Sequence, residues 1–432
     1  MHKAGSVLSR LTSGRSFRSV AAFTLSGFAG KGVSFLLVLI FTNPAFISPE
    51  ENGLLSLFSQ GLLLLLPFIS FGMIHSTGAS YFRLQAKEFN DIFVTGFFLA
   101  FLVTLATGLI MYLTRESWSI AFGLPKSMWI YMPLITFLVL FNEQFMNMVR
   151  NESNIRLYMK VSLIRAVLDL VLAASLVMIF FLRWEGRVIG LLITYSLVAA
   201  WAMTYFFRRG FLSGRIRPSV ILPEVLFAIP IITLQLGTFA LSSSDRYFIS
   251  SFTSNNDEVG IYNIASTFGS IMIIACTAYL QYLFPEVYRV LSSGDGSFNS
   301  VRTYFKRYVI LMSAFLGLIM LIVPLMYHFI INELYLPGLR YFYMIAAGFW
   351  FWTISYFFFS WLLYFRMKRK IMFLSMAYIF AGLFLNYFLV KHFGAEGAAY
   401  ANISAYFLVL LITLFATRNW WNAGSKTTHS IS

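Results

Sequence analysis

Charged side chains make up only 11% of this 432-residue chain, under half of the about 25% typical of soluble domains. With 59% hydrophobic residues and a mean hydropathy of +0.76, the shortage excludes a freely soluble fold. Cysteine is nearly absent: Cys276 stands alone in an apolar run, which excludes an intrachain disulfide framework and any CxxC site. The histidines, His2, His75, His328, His392 and His429, sit at the termini or the ends of apolar runs. None makes an acid–base pair, and with no HExxH or paired Cys/His cluster the sequence offers no catalytic residue and no metal site. It also lacks a GxxxxGK[ST] phosphate loop, which argues against direct nucleotide-driven pumping. No polar stretch is long enough to fold into a separate catalytic domain.

What the chain has instead is about 12 apolar runs of roughly the length that crosses a bilayer as a helix. They lie near 20–42, 53–82, 92–114, 127–149, 161–182, 188–207, 225–252, 259–284, 307–328, 339–364, 371–390 and 397–417. The pattern predicts an all-α polytopic membrane protein. Its parts are an N-terminal segment 1–18, a first six-helix half 19–210, a linker 211–224, a second six-helix half 225–417 and a tail 418–432. The serine-rich start, with Lys3, Arg10, Arg15 and Arg18, leads straight into apolar sequence without a signal-cleavage pattern. It reads as an uncleaved first span.

The net charge of +15 does not point to nucleic acid, because Lys and Arg concentrate in alternate loops. That is the positive-inside pattern, and it places both termini in the cytoplasm. Arg208-Arg209, Arg215-Ile216-Arg217 and the cluster Arg366, Lys368, Arg369 and Lys370 read as topology anchors, with anionic lipid as the alternative partner. The loop around Ser292–Ser297 reads as a flexible turn.

Two halves invite a search for a repeat. Gly53 and Gly260, Gly30 and Gly237, and Gly190 and Gly397 are each separated by 207 positions. Ser48-Pro49-Glu50-Glu51 also has a local meaning: Ser48 caps a helix, Pro49 suits its first position and Glu51 completes a capping box.

Charges in hydrocarbon are costly and usually face the bundle interior or a water-filled cavity. Those within predicted spans are Lys31, Glu143, Arg165, Asp169, Asp245 and Arg246, and their signs balance. Arg165 and Asp169 are four apart, share a helix face and can pair. Asp245 and Arg246 are neighbours and point about 100° apart on a helix, which favours partners on other helices, Lys31 for Asp245 or Glu143 for Arg246. The bland reading of every one of these charges is an ion pair that holds the bundle together. Gln60, Asn142, Gln144, Gln235, Gln281, Asn386 and Asn402 are polar side chains within spans, suited either to binding a glycan or to joining helices. Pro67, Pro133, Pro230 and Pro324 are candidate kinks.

Four stretches carry a family resemblance: Gly30-Lys31-Gly32 leading to Ser48-Pro49-Glu50-Glu51-Asn52-Gly53; Pro67–Tyr81; Asp245-Arg246-Tyr247-Phe248-Ile249 with Val259-Gly260-Ile261-Tyr262; and Phe393–Ala399. The chain resembles the Wzx-type lipid-linked oligosaccharide flippases, in the superfamily that also holds the multidrug/toxic-compound extruders and the lipid II flippases. The resemblance implies two six-helix lobes around a central cavity in a bacterial inner membrane. The implied activity is ion-coupled alternating access that moves an undecaprenyl-diphosphate-linked glycan from the cytoplasmic to the periplasmic leaflet for O-antigen or another surface polysaccharide. It implies no cofactor beyond a coupling ion, proton or sodium. The partners it implies are the lipid-linked glycan, membrane lipids, a polysaccharide polymerase and a chain-length regulator.

Lys31, Arg165, Arg246, Gln60 and Gln235 become candidate substrate or cavity residues, and Asp245, Glu143 and Asp169 candidates for ion coupling or ion pairing. Two alternatives stay open. A small-molecule extruder of the same architecture should show unpaired acids. A membrane-embedded polymerase or acyltransferase should show a long outer loop or a convergent His/Asp/Arg site.

Overall fold

The computed structural model describes residues 36–293, 298–365 and 367–418, and these are 89% helical with no strand. A helix meets all its backbone hydrogen bonds within one segment, which is what hydrocarbon requires. After a helical stretch at 36–41 come α1 (Pro49–Ser70), α2 (Met73–Ser80), α3 (Ala86–Phe122), α4 (Lys126–Asn151) and α5 (Ile155–Ala174), which runs on into a π turn (Ser175–Ile179). Then follow α6 (Arg183–Arg208), α7 (Pro218–Ser242), α8 (Asp245–Thr253), α9 (Asn256–Gly269), α10 (Ile271–Ser293), α11 (Phe298–Phe329), α12 (Gly338–Tyr364) and α13 (Lys368–Ala416).

Among the described residues nine helices are long and apolar enough to cross a membrane, or ten if the bent Pro218–Glu224 and Ala228–Ser242 pair is one span. The chain is a multi-pass membrane protein. The last of the nine, 48 residues long, is about twice what a bilayer needs. Gly394 interrupts it at φ 58°, ψ −140°, a combination open to glycine. The two lengths then fold back on each other, since Lys370 Nζ donates to the Ala416 carbonyl at 2.8 Å. This is where the sequence divides runs 371–390 and 397–417. The expected first span near 20–42, with Lys31, falls mostly outside the described residues, as do residues 294–297 of the expected turn.

Two expected spans are interrupted. The run 53–82 stops at Ser70, where Phe71 and Gly72 both turn left-handed (φ 46° and 68°). The run 225–252 stops at Ser242 and restarts at Asp245. The expected capping box does form: Ser48 N–H donates to Glu51 Oε2 at 2.9 Å, and Glu51 N–H to Ser48 Oγ at 3.2 Å.

The chain divides into two compact units. One takes Met1–Ile47, Gly61–Ile120 and Leu124–Ile232; the other takes Ser48–Gln60, Ala121–Gly123 and Thr233–Ser432. The core of the first unit is strongly aromatic: Phe89, Phe93, Phe145, Phe206 and Phe211 pack with Met73, Met148 and Val161. Such rings contribute large buried area and favourable edge-to-face contacts. Its α3 instead shows Leu113 and Ile120 to the outside, at 70% and 86% exposure, as a lipid-facing helix should.

In the second unit α1 and α9 cross at their first turns. A Cβ on Gly53 would lie 2.0 Å from the Asn256 carbonyl oxygen, and one on Gly260 would lie 2.0 Å from the Pro49 carbonyl oxygen. The contact is reciprocal under the 207-residue offset. Position 53 meets 256 and 260, while 260 meets 49 and 53. Their caps correspond as well, Ser48 on α1 and Asn255 on α9, where Asn255 Oδ1 accepts from Asp257 N–H at 2.9 Å. The repeat glimpsed in glycine spacing is thus a physical near-symmetry at this crossing.

Candidate functional site

The second unit buries its charges at the break between α7 and α8. Ser244 Oγ donates to the Ala240 carbonyl at 2.6 Å, closing the end of α7. Asn386 of α13 donates to the Gly382 carbonyl at 2.8 Å and reaches Ser244 Oγ at 3.4 Å. Asp245 is the first residue of α8, where a carboxylate is favoured by the helix dipole. Its Oδ1 accepts from the Arg246 backbone N–H at 2.9 Å and from Arg246 Nη1 at 2.8 Å. Its Oδ2 accepts from the Tyr262 hydroxyl at 2.7 Å. Arg246 also donates to the Ser242 carbonyl at 2.9 Å and to Ser266 Oγ at 2.6 Å, with its guanidinium 5.6 Å from the Tyr262 ring. The two side chains are 3% and 6% exposed, and among the described residues only Arg246 Nε in this pair is without a partner.

Asp245 and Arg246 do find partners on another helix, Tyr262 and Ser266 of α9, but their ion pair is with each other, which corrects the expectation that each takes a charged partner elsewhere. Both residues lie in the first turn of α8, just after the break. The break lets Asp245 curl over its own helix start, while the long Arg246 side chain folds back along the previous turn.

The first unit arranges its charges differently. Asp169 of α5 is gripped by Arg187 of α6, Nη1 to Oδ1 at 2.5 Å and Nη2 to Oδ2 at 3.2 Å, with both side chains near one-sixth exposed. The guanidinium also lies 5.7 Å from the Phe41 ring. The expected Arg165–Asp169 pair is therefore not what forms. Arg187 offers a planar fork that matches the carboxylate. Among the described residues the Arg165 guanidinium reaches only the Tyr195 hydroxyl, at 3.4 Å. Half-buried Glu143 accepts from the neutral Asn142 amide at 3.0 Å.

Gln60 keeps its buried Oε1 without a partner among the described residues, Gln235 is half-buried on α7, and Lys31 lies outside the described residues. Gln144 exchanges hydrogen bonds with Thr77 at 3.0–3.1 Å, joining α4 to α2. That is the helix-joining reading of an intramembrane amide. Outside the spans, burial pushes the Tyr335 hydroxyl above its ordinary range, with the Asn52 amide at 3.4 Å pulling it back.

Arg187, Tyr195 and Ser266 carry these networks and were not singled out by sequence, and Tyr262 stood there only within the Val259–Tyr262 stretch of the resemblance. Arg187 lies one position before the predicted sixth span, so it read as loop. Tyr262 and Ser266 offered only their four-residue spacing, which places both on one face of α9. Among the described residues no group of three or more His, Cys, Asp or Glu gathers as a metal site.

No family model matches the chain, and no curated protein matches it. Solved structures do. It is similar to "Lipid II flippase MurJ, inward closed conformation", with TM-score 0.73 and 13% identity over 92% of this chain and 87% of that one. It is similar to an "Inward-facing conformation of a multidrug resistance MATE family transporter of the MOP superfamily", with TM-score 0.70 and 13% identity over 94% and 96%. It also matches a "Crystal structure of MATE in the straight conformation", at TM-score 0.62 and 13% identity over 93% and 95%. The fold is that of the MATE and MurJ transporters, with two lobes.

Proposed function

We propose that this protein is a flippase of the bacterial inner membrane. It moves an undecaprenyl-diphosphate-linked oligosaccharide from the cytoplasmic to the periplasmic leaflet by alternating access of its two halves. The observation that carries the reading is the MurJ-like fold along 92% of the chain. A polar lining open sideways lets a glycan head cross while the polyprenyl tail stays in lipid. Of the two described intramembrane candidates, Arg165 and Arg246, Arg165 is the more available to a diphosphate, because a guanidinium has five N–H donors and Arg165 gives only one long hydrogen bond while Arg246 is ion-paired. Lys31, Gln60 and Gln235 complete the proposed substrate set, with Arg246 as a further member if its ion pair opens. Coupling to a proton or sodium gradient falls to Asp169 and Glu143, and to Asp245 only if its pair opens. A polysaccharide polymerase and a chain-length regulator are the proposed downstream partners.

The MATE-like fold favours a second reading, a small-molecule extruder. An extruder of cations needs a free buried carboxylate. Among the described intramembrane acids, Asp245 and Asp169 are ion-paired and only Glu143 is held by a neutral amide. Glu143 alone meets that need, so the extruder reading rests on this single acid.

The test uses cells lacking this protein with the glycan assembly enzymes intact. A membrane-impermeant glycan probe is applied to right-side-out and inverted vesicles. Complete repeat units trapped on the cytoplasmic face, and released when the gene is restored, are the expected result. Normal arrival at the periplasmic face overturns the reading.

A further inference from the structure

The segment joining α6 to α7 is built into the first unit. Phe211 is inserted into the aromatic core, with ring centroids 5.5 Å from Phe93 and 5.6 Å from Phe89. Asn90 at the start of α3 donates to the Gly210 carbonyl and to Ser213 Oγ, both at 2.9 Å. Buried Asp91 accepts the Arg215 backbone N–H at 2.7 Å and faces Arg217 Nε at 2.6 Å, an ion pair without the alignment of a hydrogen bond. Thr95 Oγ1 accepts the Arg217 N–H at 3.1 Å. Gly214 presses on Asn90 so closely that a Cβ would sit 2.1 Å from the Asn90 oxygen.

This strap carries Arg208, Arg209, Arg215 and Arg217. Arg217 is neutralised by Asp91, and Arg209 by Glu152 at 2.7 Å. The exposed side chains of Arg208 and Arg215 have no acidic partner among the described residues. Beside them the apolar Phe207 and Ile216 are 76% and 47% exposed. A topology anchor needs only positive charge in the loop, whatever its conformation. A backbone held at this many points, with free guanidiniums next to bare apolar groups, instead suits the interface between headgroups and acyl chains.

We propose that the 207–217 strap is a docking site for anionic phospholipid headgroups, held by Arg208 and Arg215 with Phe207 and Ile216 in the acyl boundary. Each arginine near an anionic surface is worth roughly a factor of five in affinity, so the pair accounts for about 25-fold.

The experiment titrates the full chain, purified in uncharged detergent, with phosphatidylglycerol or with phosphatidylcholine, and reads the rise in melting temperature. Wild type should rise with phosphatidylglycerol alone. Arg208→Gln/Arg215→Gln should need about 25-fold more lipid for the same rise. Lys306→Gln/Arg307→Gln, exposed residues on α11 with the same change in net charge, should respond as wild type does. Asp91→Asn, which loosens the clasp but keeps both arginines, should weaken the response.

An equal loss in the Lys306/Arg307 control means diffuse charge and overturns the site. An unchanged Arg208/Arg215 variant overturns it as well. A response to a soluble prenyl diphosphate but not to phosphatidylglycerol overturns the assignment to phospholipid. Should Asp91→Asn fail to fold, the two surface double variants still decide the question.

Discussion

The two units bury ion pairs of opposite character. In the second unit Asp245 and Arg246 are adjacent in sequence, almost wholly enclosed, and bonded to Tyr262, Ser266 and a main-chain carbonyl. In the first, Asp169 and Arg187 come from different helices and keep some exposure, with Arg165 and Glu143 held by neutral groups. A pair this fully enclosed, with both carboxylate oxygens engaged from two helices, is expensive to open. Charges with weak partners can exchange them cheaply. Under the proposed function the enclosed pair of the second unit is the candidate for architecture, and the looser charges of the first unit are the candidates for transport.

The sharpest way to break that assignment is to cut the enclosed pair. Asp245→Ala or Arg246→Ala leaves a buried charge uncompensated, and a loss of about 3–5 kcal/mol is expected. It should be visible as reduced membrane abundance and a lowered melting temperature. Asp245→Leu/Arg246→Met should recover much of this. Full abundance of either single variant together with abolished transport would move the pair from architecture to function.

Arg187→Ala should cost less, about 1.5–3 kcal/mol for a charged hydrogen-bonded pair. It should remove transport in the vesicle assay while the protein still accumulates. If transport persists, the first unit loses its claim to the coupling site.

Glycines related by the repeat extend the comparison. A Cβ at Gly397 would lie 2.0 Å from the Leu389 carbonyl oxygen, whereas at Gly190 the nearest atom is 3.5 Å away, ordinary contact. Gly397→Ala should therefore destabilise by about 1–3 kcal/mol. Gly190→Ala, which removes a flexible residue from a helix without a clash, should stabilise by roughly 0.5–1 kcal/mol. Melting curves with the same sign for both would show that the offset does not separate the two environments. The smallest effect is expected from Tyr195→Phe, about 0.5–1.5 kcal/mol, read as a change in the glycan concentration for half-maximal transport.

The sequence made the local grammar of this fold readable. The Ser48–Glu51 box and the division at Gly394 depend on neighbours a few residues apart, and the structure shows both in place, whereas it breaks the apolar runs 53–82 and 225–252 after Ser70 and Ser242. Partner choice was not readable in the same way. Asp169 had a plausible mate four residues away, yet Arg187 wins because a helix hairpin brings its planar fork to the carboxylate. On a continuous helix Asp245 and Arg246 point apart, but the helix ends at Ser242, restarts at Asp245, and the two pair. Serine is an ordinary residue in a membrane helix, so nothing in Ser242-Ser243-Ser244 marked the break. Phe211 and Asp91 went unnoticed for a similar reason, since one aromatic and one acid near predicted span ends look like interface residues.

The fold at Gly394 has a practical consequence for reporter fusions. Because Lys370 binds the carbonyl of Ala416, both ends of the final hairpin open on one face of the second unit. A fluorescent protein or alkaline phosphatase joined after Arg418 therefore reads the same compartment as an amine-reactive dye placed on Lys370. Two chemically unrelated labels can thus determine the sidedness of that face in a single preparation.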